Sequence, residues 1–249
     1  MLSPEDLARE LEQFLPRQRW FGAKDFVIER VVPHKLEVMQ SDWPALVHSQ
    51  MDVLLAGGQR DRYQVPVGLR PEGDPALATI DRDSVIALFS TEAGAAYGYD
   101  AAEDPELAIA LFMHIRPEAD PPSRVEPIQG EQSNTSLIYD GRFILKIFRR
   151  LSEDPNLDLE VTEALGRIGF RHIAAPLAVW RDGEVDLAML QPFLSGVDGW
   201  ALAMTSLNDL YGRGGDPSQS GGDFAPEAQL LGMTIAELHG ALAEAFGTW

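Results

Sequence analysis

The sequence predicts an α+β fold with a small antiparallel sheet and one helix, then a second antiparallel sheet with its own helices, then a helical end. A helix start precedes a run of short strands that Gly-Gly and Pro-rich stretches separate. A second group of strands contains Asp-Gly pairs at 140–141 and 182–183, which suit tight hairpins. Apolar residues near the end of the chain recur at helical spacing. Adjacent short strands tend to pair antiparallel, and strands grouped apart from helices are typical of α+β domains.

The first domain is predicted over residues 1–100. Ser3 can cap a helix, and Pro4 suits the first helical position. The negative charge of Glu5 interacts favourably with the positive end of the helix dipole. Strand-like segments follow at 26–32, 45–56, 62–69, 76–80 and 85–89. Together they predict a small sheet wrapped on one helix, which forms a cap domain.

The second domain is predicted over residues 101–195. Asp104 opens a helix that ends near residue 115, and Asp154 with Pro155 predicts the start of the next helix, which runs to about residue 168. Strands are predicted at 125–128, 135–139, 142–148, 176–181 and 184–191. Residues 196–249 are predicted to be helical, apart from a Gly/Ser/Asp-rich loop over 212–223.

Charge and composition exclude several classes of protein. The net charge of −19 repels a phosphate backbone and no basic patch offsets it, so we expect no nucleic-acid partner. There is no cysteine, hence no disulfide or thiolate metal site, and the five histidines lack metal-ligand spacing. No apolar run approaches the roughly 20 residues of a membrane helix. The acidic start does not resemble a signal peptide, so we expect a cytoplasmic protein without a membrane partner.

One lysine interrupts an apolar strand face. Lys146 shares one face of the predicted strand with Ile144 and Phe148. A lysine in such surroundings is costly to bury unless an anion meets it. The alternative is an edge-strand lysine on a solvated face. The order strand–loop–strand–strand–helix–strand–strand is also the layout of the N-lobe of protein kinases, in which a strand lysine grips the phosphates of ATP.

The kinase arrangement also needs a glutamate on the following helix. With Leu157 as the reference, Val161, Ala164 and Leu165 form the core-facing stripe, and Glu160 falls on its flank. We therefore predict Glu160 as the partner of Lys146, against the alternative of a plain surface glutamate. Asp158 is adequately explained as an acid at a helix start.

Two further segments would complete a nucleotide site. A polar loop whose backbone and side chains can hold phosphate oxygens precedes the central strands. Its predicted contact residues are Gln132, Ser133, Asn134, Thr135 and Ser136. A hinge for the adenine base is predicted at Pro192, Phe193 and Leu194, because proline keeps its carbonyl and loses only a donor.

Several stretches resemble the bacterial maltokinase family. The sequence LPRQRWFGAK at 15–24 resembles its N-terminal signature, and EQSNTS at 131–136, ILK at 144–146, Gly199-Trp200 and the helix at 233–247 are similar to it as well. The resemblance implies a cap domain followed by a fold like that of aminoglycoside phosphotransferases. It implies ATP-dependent phosphorylation of maltose to maltose 1-phosphate in trehalose and glycogen metabolism, with trehalose synthase as a candidate partner. Some relatives with this cap phosphorylate glucosamine instead.

The resemblance also implies residues that this sequence does not contain. Family members continue into a helical lobe with a catalytic aspartate in a His-Gly-Asp loop and a metal-binding aspartate, and no His-Gly-Asp follows the predicted hinge. We therefore expect residues 196–249 to be the beginning of a truncated helical C-lobe. No catalytic residue is assigned, and the Mg²⁺ ligands and the sugar pocket are expected in the missing lobe. The chain as given is expected to be inactive, and its exposed helical stripe to favour self-association.

Two other classes of function stay open. The same absence of a catalytic aspartate fits a kinase-like binding or regulatory module without chemistry. A β-rich interaction protein, in which Lys146 is only structural, is the third possibility.

Overall fold

The structure is a computed structural model of the chain, and it describes residues 2–128 and 133–247. It confirms the predicted α+β class. The first sheet is antiparallel, with the strand order β1-β2-β3-β5-β4. Its strands are β1 (Ile28–Gln40), β2 (Ala45–Leu55), β3 (Arg60–Pro71), β4 (Val85–Thr91) and β5 (Gly94–Asp100).

Helix α1 (Pro4–Phe14) packs on the first sheet. It begins as predicted, because the Ser3 hydroxyl accepts a 3.2 Å hydrogen bond from the Asp6 amide. Its apolar stripe is fully buried, and Leu7 and Leu11 share one core with strand residues such as Val53. Hydrophobic burial on one helix face therefore fixes the helix against the sheet.

Several details of the first sheet differ from the prediction, and one is that β1 continues to Gln40, where the predicted strand ended at residue 32. Residues 76–80 were expected to form a strand, but Pro75–Thr79 is a 3₁₀ helix. The reason is local, since the Asp74 carboxylate accepts from the Ala76 amide and caps a helical turn. Strand β5 was missed because its glycines and alanines lack strand propensity, and pairing with β3 and β4 supplies its stability instead.

The second sheet is also antiparallel, with the strand order β10-β11-β8-β7-β6. Asp140 and Gly141 join β7 to β8 with φ angles of 52° and 62°, as a type I′ turn requires. The strands are β6 (Val125–Pro127), β7 (Asn134–Tyr139), β8 (Phe143–Phe148), β10 (Ala178–Asp182) and β11 (Val185–Pro192).

Helix α2 (Pro105–Ile115) leads from the first sheet to the second. Asp104 caps it by accepting from the Glu106 amide at 3.0 Å, as predicted. The same carboxylate accepts from Arg70 Nε at 2.8 Å and from the Tyr99 hydroxyl at 2.6 Å. Leu107 and other α2 residues share a buried core with both sheets.

One continuous stretch of chain belongs to both sheets. Directly after β8, the short strand β9 (Arg150–Leu151) pairs with β3 of the first sheet. The Gln64 amide of β3 also donates to the Arg149 carbonyl at 2.9 Å. Backbone pairing therefore fixes the strand that carries Lys146 to the first sheet.

The chain forms two compact units, one of Met1–Leu159 with Pro176–Phe193 and one of Glu160–Ala175 with Leu194–Trp249. Both sheets lie in the first unit, and a domain boundary at residue 100 stays a prediction. Helix α3 (Leu157–Arg167) starts in the first unit and continues in the second.

The second unit is helical, with α4 (Gly199–Arg213), α5 (Pro217–Ser220) and α6 (Ala225–Phe246). The loop predicted over 212–223 is wrong in part, because Asp216 caps α5 within it by accepting from the Ser218 amide. Leu231 and Ile235 on α6 are 56% and 41% exposed, and self-association stays a prediction. None of the described helices combines the length and the apolarity needed to cross a membrane.

Candidate functional site

Lys146 lies in the middle of β8, on a face of the second sheet that we call the front face. Ser136 of β7 and Met189 of β11 are its direct neighbours across the strands. The front face also carries Phe148, which packs with Leu159 and Met189 in a small buried cluster. The lysine therefore rises from an apolar surface, as the alternation of residues in β8 predicts.

The carboxylate that meets Lys146 belongs to Asp158. Lys146 Nζ lies 2.5 Å from Asp158 Oδ2, and the two side chains are 24% and 44% exposed. The ammonium group is thus paired and still reachable from solvent. A partly exposed pair of this kind contributes little to stability by itself, so its value is to hold the lysine in one orientation.

The start of α3 explains why Asp158 takes this position. Asn156 accepts from the amides of Asp158 and Leu159 and caps the helix, two residues later than the predicted cap at Asp154. Asp158 therefore lies in the first turn, where a negative charge interacts favourably with the helix dipole. The next residue, Leu159, is buried against Phe148 and Met189. This packing places the first turn of α3 on the front face.

Glu160 was predicted as the partner of Lys146, but the ion pair that the structure describes is with Asp158, and a role for Glu160 at the nucleotide site stays a prediction. The prediction took Leu157 as the core-facing reference, but Leu157 is 72% exposed. Glu160 is exposed and lies in the second unit. Asp158 was interpreted as a simple helix-start acid, and the residue that caps the helix is Asn156 rather than Asp154.

The residues of the predicted phosphate loop divide between two faces. Gln132 lies outside the described residues, and Ser133 is exposed just before β7. Ser136 is fully buried opposite Lys146 on the front face. Thr135 lies on the opposite, reverse face, where its hydroxyl oxygen accepts from Arg149 Nε at 2.8 Å. Asn134 begins β7 and pairs with Phe148.

The predicted hinge begins where β11 ends. Pro192 is the last residue of β11 and pairs with Phe143. The Phe193 amide donates to the Arg142 carbonyl at 2.8 Å. Because polar groups alternate along an antiparallel strand, the Pro192 carbonyl points away from β8. Leu194 lies in the second unit and is exposed, so a joint role with Pro192 stays a prediction.

Buried polar groups of the first sheet support the reverse side of β8. Gln64 Nε2 donates to the Phe148 carbonyl at 2.8 Å and to the Leu187 carbonyl at 2.6 Å. Arg149 Nη2 donates to Asp100 Oδ2 at 2.7 Å, with both side chains at least nine-tenths buried. These contacts join the first sheet to the strand of Lys146. No local pattern in the sequence predicts these contacts, because they join residues that lie far apart along the chain.

The front face offers a set of groups suited to an anion with an attached ring. Lys146 supplies a positive charge, the buried Ser136 of β7 is its neighbour across the strands, and the Pro192 carbonyl supplies an acceptor at the end of β11. Among residues 2–128 and 133–247 no cluster of three metal-ligating side chains occurs, so no metal ligand is assigned in the described part of the chain.

The fold of the chain is similar to that of a known kinase structure. The whole arrangement resembles a solved structure described as "Glucosamine kinase (crystal form A)", with a TM-score of 0.54 and 18% sequence identity. The match covers 98% of this chain and 49% of that chain, so this chain spans about half the length of the solved structure it matches. A likeness at this identity shows the fold, which is a cap followed by a kinase-like N-lobe.

The cap domain matches a family model in sequence, in addition to the likeness in fold. Residues 14–104 match the family described as the maltokinase N-terminal cap domain. This confirms the resemblance that the LPRQRWFGAK stretch indicated. The matched segment contains strands β1 to β5 of the first sheet and ends at the residue that caps α2.

Proposed function

We propose that this chain is the ATP-binding half of a sugar kinase that phosphorylates maltose. The single observation that carries the proposal is the Lys146–Asp158 pair on the front face of a kinase-like N-lobe. In kinases a strand lysine, oriented by a helix carboxylate, contacts the α- and β-phosphates. Here Asp158 takes the role of that carboxylate.

The described residues fit a nucleotide. ATP supplies the phosphoryl group, and its charge must be neutralised and held in one position. Lys146 neutralises phosphate charge, Asp158 orients the ammonium group, and Ser136 is the neighbour of Lys146 on β7. The Pro192 carbonyl faces away from β8 and is available to accept from an exocyclic amine. Mg²⁺ ligands are proposed to lie outside the described residues.

The acceptor sugar is proposed from the cap. The family that residues 14–104 match is named for maltokinases, which favours maltose. The solved structure with the same fold is named a glucosamine kinase, which makes glucosamine the second candidate. The trehalose and glycogen context, the trehalose synthase partner and the cytoplasmic location are part of the same proposal.

Measuring nucleotide binding to the 249-residue chain tests whether Lys146 contacts the phosphates. We expect Lys146→Ala to weaken binding of ATP or ADP about 10- to 100-fold, because a hydrogen bond to a charged group contributes about 1.5–3 kcal/mol. Lys24→Ala is the charge-matched control, since Lys24 is exposed in a loop of the cap. Equal affinities for the two variants, measured by titration calorimetry, would refute the assigned role.

Phosphoryl transfer in the full-length protein tests the substrate. We expect turnover with maltose, followed by phosphorus NMR of the product. Turnover with glucosamine alone would select the second candidate. Nucleotide binding without transfer to either sugar would favour a kinase-like binding module.

A further inference from the structure

A polar pocket lies on the reverse face of the second sheet, on the side opposite Lys146. It has a volume of about 200 Å³, and the cap and the second sheet both line it. The cap contributes Arg17, Trp20, Asp81 and Glu103, and the second sheet contributes Thr135 and Arg149. Thr135 of β7 precedes Ser136, the cross-strand neighbour of Lys146, and Arg149 follows β8 at an odd spacing from Lys146, so both lie on the face opposite Lys146 and this pocket is separate from the candidate nucleotide site.

Arg149 is the unusual residue of this pocket. Its side chain is 1% exposed, and two of its three nitrogens are satisfied. Nε donates to Thr135 and Nη2 donates to Asp100. Its third nitrogen, Nη1, is buried and has no hydrogen-bond partner among the residues that the structure describes. An unmet donor on a buried charged group is costly, so an acceptor in the pocket would be stabilised.

The Trp20 ring fixes the position of this donor. The Arg149 guanidinium lies over the ring, with Cζ 4.6 Å from the ring centroid. Trp20 is itself 6% exposed, so the stacked pair cannot rotate into solvent. The free donor of Arg149 is therefore held in place before any ligand arrives.

The charges of the pocket select the kind of ligand. Three arginines and four carboxylates line it, so it is close to neutral, and an anion would meet carboxylates as well as guanidinium groups. Burial, together with the negative charges of Asp100 and Asp81, raises the pKa of Glu103, although the positive charge of Arg149 opposes the shift. Hydroxyl groups both accept and donate, and so can satisfy Arg149 Nη1 and a carboxylate at once.

We propose that this pocket binds a small neutral polyol, through a pair of hydroxyl groups that accept from Arg149 Nη1 and donate to carboxylates such as Glu103. The proposal does not rest on the proposed kinase activity. It adds a binding site on the reverse face, in direct contact with Thr135 at the start of β7.

Binding of two neutral probes, glucose and myo-inositol, to the 249-residue chain tests the proposal. We expect saturable binding with a dissociation constant on the order of 1 mM, as suits a small ligand with few contacts. Arg149→Lys keeps the positive charge beside Asp100 and removes the free donor. It should weaken binding at least tenfold in calorimetry or in saturation-transfer NMR.

A second variant protects the test against misfolding. Glu103→Leu removes a carboxylate from the pocket and leaves the Arg149–Asp100 pair in place, and it should weaken binding of the same probes to a similar degree. Glu29→Leu, on an exposed position of β1, is the control and should bind as the unaltered chain does. If circular dichroism shows that Arg149→Lys is unfolded, Glu103→Leu decides alone.

Three outcomes would overturn the proposal. The first is the absence of saturable binding of either probe, which would mean that water alone fills the pocket. The second is binding that both pocket variants leave unchanged. The third is binding of inorganic phosphate at lower concentration than either polyol, because it would identify an anion site.

Discussion

Arg149, the residue after β8, and Asp100 at the end of β5 form an ion pair that is almost completely shielded from water. Nη2 and Oδ2 are 2.7 Å apart, and the side chains are 1% and 5% exposed. Asp100 also accepts from the Ala102 amide and so starts a short 3₁₀ helix. The pair therefore joins the last strand of the cap to the strand that carries Lys146.

We expect Asp100→Asn to destabilise the protein by about 3–5 kcal/mol, the usual result of leaving one partner of a buried ion pair uncompensated. Asparagine caps helices as well as aspartate does, so the 3₁₀ helix should survive. Urea unfolding, followed by tryptophan fluorescence, measures the change.

The matched control for Asp100→Asn is Asp61→Asn. Asp61 pairs with Arg150, the residue after Arg149, but Arg150 is 56% exposed. An exposed partner makes the pair worth about 0–1 kcal/mol. Equal losses in the two variants would show that burial of the Arg149–Asp100 pair is not what matters.

Local patterns in the sequence predicted much of the fold. The capped start of α1, the capped start of α2 and the Asp140-Gly141 hairpin depend on residues close in the chain, and all three are confirmed. Strand β5 has little propensity of its own, and pairing on both sides makes it a strand. That stabilisation is tertiary, so no local pattern carries it.

The candidate site was predicted in part for the same reason. Lys146 was found because alternation along one strand places it on an apolar face. Glu160 was predicted as its partner from the phase of α3 with Leu157 taken as core-facing, whereas Leu157 is 72% exposed and the described ion pair of Lys146 is with Asp158. The supporting contacts of Gln64 and Arg149 link residues of different sheets, which a single sequence cannot show.

Gly68 of β3 faces Tyr99 of β5 across the first sheet. A Cβ atom at position 68 would lie 2.5 Å from Tyr99 Cε2 and 2.6 Å from Leu107 Cδ1. Both side chains are fully buried and have no room to move. We expect Gly68→Ala to cost about 1–3 kcal/mol through overpacking, measured as a lower urea midpoint.

Gly22→Ala is the control for this prediction. A Cβ atom there meets only the Tyr63 hydroxyl oxygen at 3.7 Å, an ordinary contact. The change should be within about 0.5 kcal/mol of zero. A Gly68→Ala protein as stable as Gly22→Ala would mean that the β3–β5 contact is looser than the structure shows.

His48 of β2 should make stability depend on pH. Burial lowers the pKa of His48 from 6.5 to about 4, although a hydrogen bond to Gln64 opposes the shift. Gln64 Nε2 donates to two carbonyls, so its Oε1 accepts from His48 Nε2 at 2.9 Å. The Trp180 ring lies 4.5 Å from the imidazole. The folded protein therefore holds this histidine neutral.

The sign of the pH effect follows from the lowered pKa. The unfolded chain takes up a proton near pH 6.5 and the folded chain near pH 4, so stability is lost as the pH falls through that window. The loss should approach about 3 kcal/mol, at 1.4 kcal/mol for each pKa unit. Unfolding free energies of the unaltered protein and of His48→Gln, compared between pH 7 and pH 4, isolate this histidine. Parallel pH curves for the two proteins would contradict the prediction.

Asp158→Asn tests which carboxylate orients Lys146. Asparagine keeps the size of the side chain and its place in the first turn of α3, but removes the charge that meets Lys146 Nζ. We expect nucleotide affinity to fall about 3- to 10-fold, less than for Lys146→Ala, because the lysine remains and only its orientation is lost. Stability should change by less than about 1 kcal/mol, since the pair is partly exposed.

Glu160→Gln, two residues later on the exposed surface, is the control and should bind nucleotide normally. A loss of affinity in Glu160→Gln with normal binding in Asp158→Asn, measured by the same calorimetric titration, would restore the glutamate as the partner of Lys146.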